Sequence, residues 1–290
     1  MKIGVVGDVH LAWDERDTQV LDALGYDLIL FVGDLAGYGA QGGLAIARDI
    51  AKLRTPALVQ PGNHDAVTVP QLAAEVFRTP GLAREALSLG MKARVRQLAK
   101  ALGPVPLCGY SLHRFERHAL TVVAARPHSM GGPRLGFRRY LARRFGVRTL
   151  SDSAARLCAL IDGVPAQDRV LILAHCGPRG LGSTRDAIYG CDFRPQQGDW
   201  GDPDLTEALT HAAAREKRVL AVVAGHMHHA LRGGGERVWH TQRAGVHHVN
   251  AARVPRVRRG HQGEERHHVR LTLEDDGLVL VEPVWVKMPS

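Results

Sequence analysis

The sequence predicts an α/β fold built on parallel strands, and three observations carry that expectation. Five apolar runs, KIGVV, YDLILFV, TPALVQ, RVLILA and RVLAVVA, are continuous rather than alternating, as in strands buried on both faces. Helical patterns fall between the early runs, where parallel strands need crossover connections. Each run leads into a short segment containing Asp, Asn or His, and the carboxyl ends of strands are where open α/β sheets place their sites.

Taken in order, the first 65 residues read as three strand-and-crossover units, with helices near 16–24 and 44–53 and right-handed connections. From 69 to about 103 the pattern turns helical, because Leu72, Val76, Leu87, Met91, Val95 and Leu98 recur at three- and four-residue spacings. Two further strands are expected at 105–112 and 120–125. A loop, PHSMGGPRLGF, then leads into helices at 139–145 and 151–161. After the fourth apolar run, residues 177–204 show no periodicity, and loops of that length often shape a binding site. The fragment GDWGDPDL reads as a capping turn before a helix at 206–215, which would give Asp202 or Asp204 a structural job. Near the end, 237–241, 247–250, 267–273 and 279–285 read as strands completing a second sheet. Between them VPRVRRGHQGEER reads as a mobile basic loop.

A chain of 290 residues can bury a sizeable core. The candidate site residues span positions 8 to 228, so one domain over 1–290 is expected, with a helical insert around 69–103 and the long loop 177–204. No stretch of eighteen or more uninterrupted apolar residues occurs, which argues against a membrane span. Cys108, Cys158, Cys176 and Cys191 lack paired metal-binding spacing and fit reduced thiols, so a cytoplasmic protein is expected. Cys176 reads as a small buried side chain. Oligomeric state has no signature in the chain.

The chemistry lies at the strand ends. Asp8 and His10 stand in GDVH, Asp34 in GDLAGYG, Asn63 in GNHD, His175 in LILAHCG, and His226 with His228 in GHMH. Carboxylates, imidazoles and an amide oxygen suit Mn, Fe or Zn. Asp34 is the best bridge between two ions, because a carboxylate has two oxygens and its strand lies between the others in the inferred order. The two histidines of GHMH are two residues apart, a spacing that on extended chain need not place both on one ion.

The order and wording of these segments resemble the calcineurin-like metallophosphoesterase superfamily, as GDxH, GDxxxxG, GNH, a lone His and GHxH. The resemblance runs from Met1 to about Val249, and its specific part is the five strand ends. It implies a four-layer α/β/β/α sandwich with two mixed sheets and helices on the outer faces. It also implies two divalent or trivalent metal ions, Mn and/or Fe first and Zn as a further candidate. Asp8, His10, Asp34 and His228 would hold one ion, and Asp34, Asn63, His175 and His226 the other. His64 would be the non-ligand histidine that meets the phosphate and assists the leaving group, a role suited to a group titrating near neutral pH. Some relatives carry an Asp three residues beyond the bridging Asp to orient this histidine. Here that position is Gly37, and Asp65 is an alternative orienter.

The expected function is therefore a dinuclear metal-dependent hydrolase of phosphomonoesters or phosphodiesters, acting on a small organic phosphate or nucleotide. The alternatives are a nuclease and a non-catalytic metal-binding regulatory protein. A net charge of +9, carried mainly by arginine at 134–148 and 253–270, fits either a solvated surface or attraction of anionic substrates. Neither stretch is interleaved with aromatic residues, so nucleic acid is the less favoured partner. The loops 126–137 and 177–204 are expected to border the substrate cleft, with Arg179 meeting phosphate through its donor fork. Tyr38, His128 and Arg185 are further candidates for substrate contact, and His229 for supporting a metal ligand.

Overall fold

The structure, a computed structural model, describes residues 1–290 apart from Tyr38, Arg78, Gln262, Asp275, Asp276, Leu278 and Ser290. Tyr38 therefore lies outside the described residues. The first sheet begins with β1 (Lys2–Val6), β2 (Leu28–Phe31) and β3 (Ala57–Val59), which pair in parallel with β2 in the middle. Their crossovers are α1 (Glu15–Ala23) and α2 (Ala40–Ile50). Asp14 caps α1 by accepting the Arg16 N–H, while Asp17 accepts the Asp14 N–H, a reciprocal arrangement that satisfies two of the orphan donors of a helix start.

Between the sheets in sequence lie α3 (Val69–Phe77), α4 (Gly81–Leu87) and α5 (Met91–Ala101), as the spacing of apolar residues predicts. The second sheet runs β4 (Ser111–Phe115), β5 (Leu120–Ala124), β6 (Arg169–Leu173), β7 (Val219–Ala224), β9 (Val246–Asn250), β8 (His240–Arg243). Strands β5, β6, β7 and β9 are parallel, and β4 and β8 close the edges antiparallel. Helices α6 (Arg138–Phe145), α7 (Leu150–Asp162) and α8 (Pro203–Ala214) complete the chain up to β7.

Alternation within the apolar runs explains the layers. Ile3, Val5, Leu28, Leu30 and Val32 join Val122, Leu171, Leu173 and Val223 in a core between the two sheets. Their neighbours Val6, Ile29 and Phe31 face the other way, onto Leu21, Ile46, Ile50 and Leu98 of α1, α2 and α5. On the far side Val170, Ile172 and Val222 pack on Leu141, Leu157, Ile161, Leu205 and Ala208 of α6, α7 and α8. Successive strand residues point to opposite faces, so burial on both faces demands an unbroken apolar run. Truncating a fully buried member such as Leu30 to Ala would cost about 2–5 kcal/mol. The result is the four-layer α/β/β/α arrangement of two mixed sheets that the resemblance implies.

Four local expectations are corrected. The strand expected at 105–112 is displaced to β4, and its first half makes only an isolated bridge from Leu107 to Val59. The supposed mobile basic loop forms β10 (Val257–Gly260) and opens β11 (Gly263–Leu273), paired antiparallel. Strand β11 and β12 (Val279–Lys287) do not extend the second sheet: β11 pairs β1 antiparallel along one edge and β12 along the other, enlarging the first. Asp202 precedes α8 but makes no side-chain cap bond; its carboxylate accepts instead from Arg126 and Ser129. Among the described residues no helix is long and apolar enough to cross a membrane.

Candidate metal centre

Because β1, β2 and β3 run parallel in one sheet and β5, β6 and β7 in the other, the segments after them emerge at neighbouring sheet edges. Two bonds draw those edges together: the His128 N–H donates to the Pro61 carbonyl at 2.9 Å, and the His226 N–H donates to the Asp8 carboxylate at 3.0 Å. The motif glycines make the approach sterically feasible. A Cβ on Gly62 would lie 2.2 Å from Asp34 Oδ1 and 2.6 Å from His175 Cε1, and one on Gly225 would lie 2.2 Å from Asp8 Oδ1. Three of the converging residues, His10, Asp34 and His226, have positive φ of 42°, 51° and 68°. Non-glycine residues held there are strained, and such strain gathers at functional sites.

All seven strand-end residues converge. Asp8, His10 and His228 form one donor group, and Asp34, His175 and His226 a second, the donor atoms in each lying within 4.8 Å of one another. Asp34 links the two, with Oδ2 3.5 Å from His175 Nε2 and 3.8 Å from His10 Nε2. Asn63 joins the second group through Oδ1, 2.9 Å from His175 Nε2. His228 Nε2 lies 3.4 Å from Asp8 Oδ2 and 3.2 Å from His10 Nε2.

The donor chemistry fits cations. His10 and His175 each direct Nδ1 to a main-chain carbonyl, of Ala36 at 3.2 Å and Val32 at 2.7 Å, and His226 directs Nε2 to that of Met130 at 3.0 Å. With one ring N–H taken by backbone, the other nitrogen is turned inward, as in metal-binding histidines, and a bound cation would take the place of any proton it carries. Asp8 and Asp34 are buried, and among the described residues neither has a lysine or arginine within ion-pair distance. Two buried carboxylates without a fixed cation need positive charge from somewhere. Burial alone would lower the His175 pKa, but the Asp34 carboxylate, with Asp8 behind it, raises it to about 10. His226, by contrast, is pushed down to about 3 by burial.

His64 stands at the edge of this group. Its backbone N–H donates to Asp34 Oδ1 at 2.8 Å, and its ring packs edge-on to that of His10. Nδ1 lies 3.0 Å from the Gly37 carbonyl, and Nε2 is left 4.0 Å from Asp34 Oδ2. Gly37, which has no side chain to offer, thus orients His64 through its backbone. Asp65 does not do so: its two oxygens accept the Gly62 N–H at 2.8 Å and the Ala36 N–H at 3.1 Å, tying the β2 and β3 ends together.

A cavity of about 450 Å³ opens over Asn63, His226 and His228. Its walls come from both glycine-rich loops, through Met130, Gly131 and 133–136 on one side and Asp192, Phe193, Arg194 and Trp200 on the other, and also from Glu75 of α3, Arg84 of α4 and Arg232. The sequence points to the loop residues of these walls only through the glycine-rich, aperiodic character of 126–137 and 177–204, not one by one. Arg179 is exposed and does not line the cavity; its carbonyl accepts from Thr206. Arg185 reaches the Arg232 and Gly234 carbonyls. His128 is buried with Nδ1 on the Gly62 carbonyl, its pKa held down to about 4 by burial. His229 bonds the Asn250 carbonyl, and Cys176 is buried behind Trp200.

Comparison with known proteins bears on the family and the fold. A family model described as calcineurin-like phosphoesterase matches residues 1–230. A dimetal phosphatase from Danio rerio shares the fold at a TM-score of 0.53 and 12% identity, covering 100% of this chain and 99% of that one. The phosphopantetheinyl hydrolase of Mycobacterium tuberculosis is similar at a TM-score of 0.47 and 15% identity, over 86% of this chain and 88% of that one. No curated protein matches the sequence.

Proposed function

Because this chain belongs to the calcineurin-like phosphoesterase family, we propose that it is a dinuclear metal-dependent hydrolase of phosphomonoesters or phosphodiesters whose substrate is a small organic phosphate or nucleotide. Residues 1–290 act as one domain in this reading, with the 69–103 helices and the 177–204 loop as its insertions. The observation that carries it is the pair of donor groups joined at Asp34, each with ring nitrogens turned inward. Asp8, His10, Asp34 and His228 would hold one ion and Asp34, Asn63, His175 and His226 the other. Mn and/or Fe suit this mixture of oxygen and nitrogen donors, as does Zn. Two ions so held supply Lewis-acid polarisation of phosphoryl oxygens.

The protein's own groups do the rest. His64 is the candidate for proton transfer to the leaving oxygen, because the Gly37 carbonyl fixes Nδ1 and leaves Nε2 on the side facing the donor groups. A carbonyl orients the ring without the full negative charge that a carboxylate would bring. Metal analysis followed by a panel of phosphomonoesters and phosphodiesters, with Mn or Fe restored, tests the reading. Metal-dependent hydrolysis of one class, abolished by a chelator, is expected. Protein with two ions bound that hydrolyses neither class sinks it.

A further inference from the structure

The wall of the cavity carries more positive charge than its acidic residues can neutralise. Arg134, Arg194 and Arg232 all line it, and among the described residues none has a carboxylate partner. Elsewhere in the chain, arginines near carboxylates are paired, as Arg126 is with Asp202 and Asp204 and Arg237 with Asp192. The acids on the wall are already engaged: Glu75 faces Arg84 at 3.9 Å, and Asp192 accepts from Arg237 and from the Arg232 backbone N–H, each at 2.9 Å.

The same wall presents aromatic surface. Phe193 is 37% exposed, and its ring meets Trp200 edge-on with centroids 5.2 Å apart. Trp200 is fixed by its indole N–H, which donates to the Met130 carbonyl at 2.9 Å. The Arg232 guanidinium sits 5.9 Å from the Phe193 centroid. A preformed ring pair offers a stacking platform to any base, and a cavity of about 450 Å³ falls within the size of small-ligand sites.

Resting on the hydrolase reading above, we propose that the substrate is a nucleotide with at least two phosphate groups, its base set against the Phe193–Trp200 pair and its further phosphate met by Arg134, Arg194 and Arg232. Each guanidinium has five N–H donors, so three of them exceed what the single phosphate over the Asp8 to His228 group could accept. A second anionic group uses them in the bidentate manner that arginine favours. The aromatic pair selects a planar ring over an aliphatic alcohol.

Binding, measured by calorimetry on protein with Mn restored, separates the parts. The probes are α,β-methylene adenosine diphosphate, methylenediphosphonate and adenosine, none of which needs turnover. We expect the nucleotide analogue to bind at least about tenfold tighter than either fragment, since it fills both subsites. Phe193→Ala should weaken the analogue by about fivefold or more and leave methylenediphosphonate unchanged. Arg194→Ala and Arg232→Ala should each weaken both phosphonates by about tenfold and leave adenosine unchanged. Equal affinity for the analogue and methylenediphosphonate, or arginine variants that bind like wild type, overturns the proposal. Turnover of para-nitrophenyl phosphate and its bis-ester is followed in parallel. If neither is cleaved while the binding pattern holds, the hydrolase reading fails and the nucleotide site stands; normal turnover with the pattern missing refutes the nucleotide site alone.

Discussion

Replacing Arg126 with Met should uncouple the two walls of the cavity while leaving the metal donors in place. The side chain is 1% exposed and lies just after β5, where the 126–137 loop begins. Its Nη2 donates to Asp202 Oδ1 at 2.5 Å and to Asp204 Oδ1 at 3.2 Å, and Nε to Asp204 Oδ2 at 2.8 Å. Those acids end the 177–204 loop and start α8, and Ser129 and Ser153 complete their hydrogen bonding. Methionine fills similar volume but leaves two buried carboxylates without their cation. Breaking a buried pair from one side costs about 3–5 kcal/mol, a large share of the roughly 5–15 kcal/mol by which a domain is stable.

The pH dependence identifies the cause. Burial raises the Asp202 pKa, Arg126 opposes that rise and Asp204 adds to it, leaving a pKa of about 7. A carboxyl whose folded pKa exceeds its ordinary value of 3.8 gives stability that is complete below 3.8 and lost as pH climbs through about 7. Without Arg126 the pKa rises further, so the loss continues to higher pH. Urea unfolding should therefore show a smaller Arg126→Met deficit near pH 5 than near pH 8, where it reaches several kcal/mol. Adding Asp202→Asn and Asp204→Asn should recover part of the deficit at pH 8, since no buried charge then remains. Equal destabilisation at both pH values, or a deficit under about 1 kcal/mol at pH 8, would refute the reasoning. Metal content should stay at two per chain while KM rises, because the network holds walls rather than donors.

Three further outcomes test the centre itself. Asp34→Asn should bring metal below two ions per chain and depress turnover, and unchanged stoichiometry with full activity would remove Asp34 as the bridge. His64→Ala should keep both ions and lose about 10²- to 10⁴-fold in kcat, whereas loss of one ion would make it a ligand. Gly62→Ala places a methyl group 2.2 Å from Asp34 Oδ1, so it should cost about 1–3 kcal/mol in overpacking and reduce metal retention together; a variant that folds and holds metal normally contradicts the close approach described here.

What could be read from the sequence follows from where each signal is stored. The donors were legible because each ends a strand buried on both faces, and such a strand announces itself as a local apolar run. Pairing partners leave no local trace, so the assignment of β11 to the first sheet had to come from coordinates. Composition misled at VPRVRRGHQGEER: Arg256 and Arg266 are buried against Asp17, with Asp14 and Glu264 also holding Arg266, so these arginines knit β10 and β11 to α1 instead of coating a loop. A distant carboxylate decided their fate. The His64 orienter was missed for a related reason. Motif comparison registers side chains, and at position 37, where the resemblance leads one to look for an aspartate, this chain has a glycine whose carbonyl lies 3.0 Å from His64 Nδ1. The backbone accepts the same proton, so a departure from the family pattern at that position does not remove the hydrogen bond; it changes the acceptor from charged to neutral.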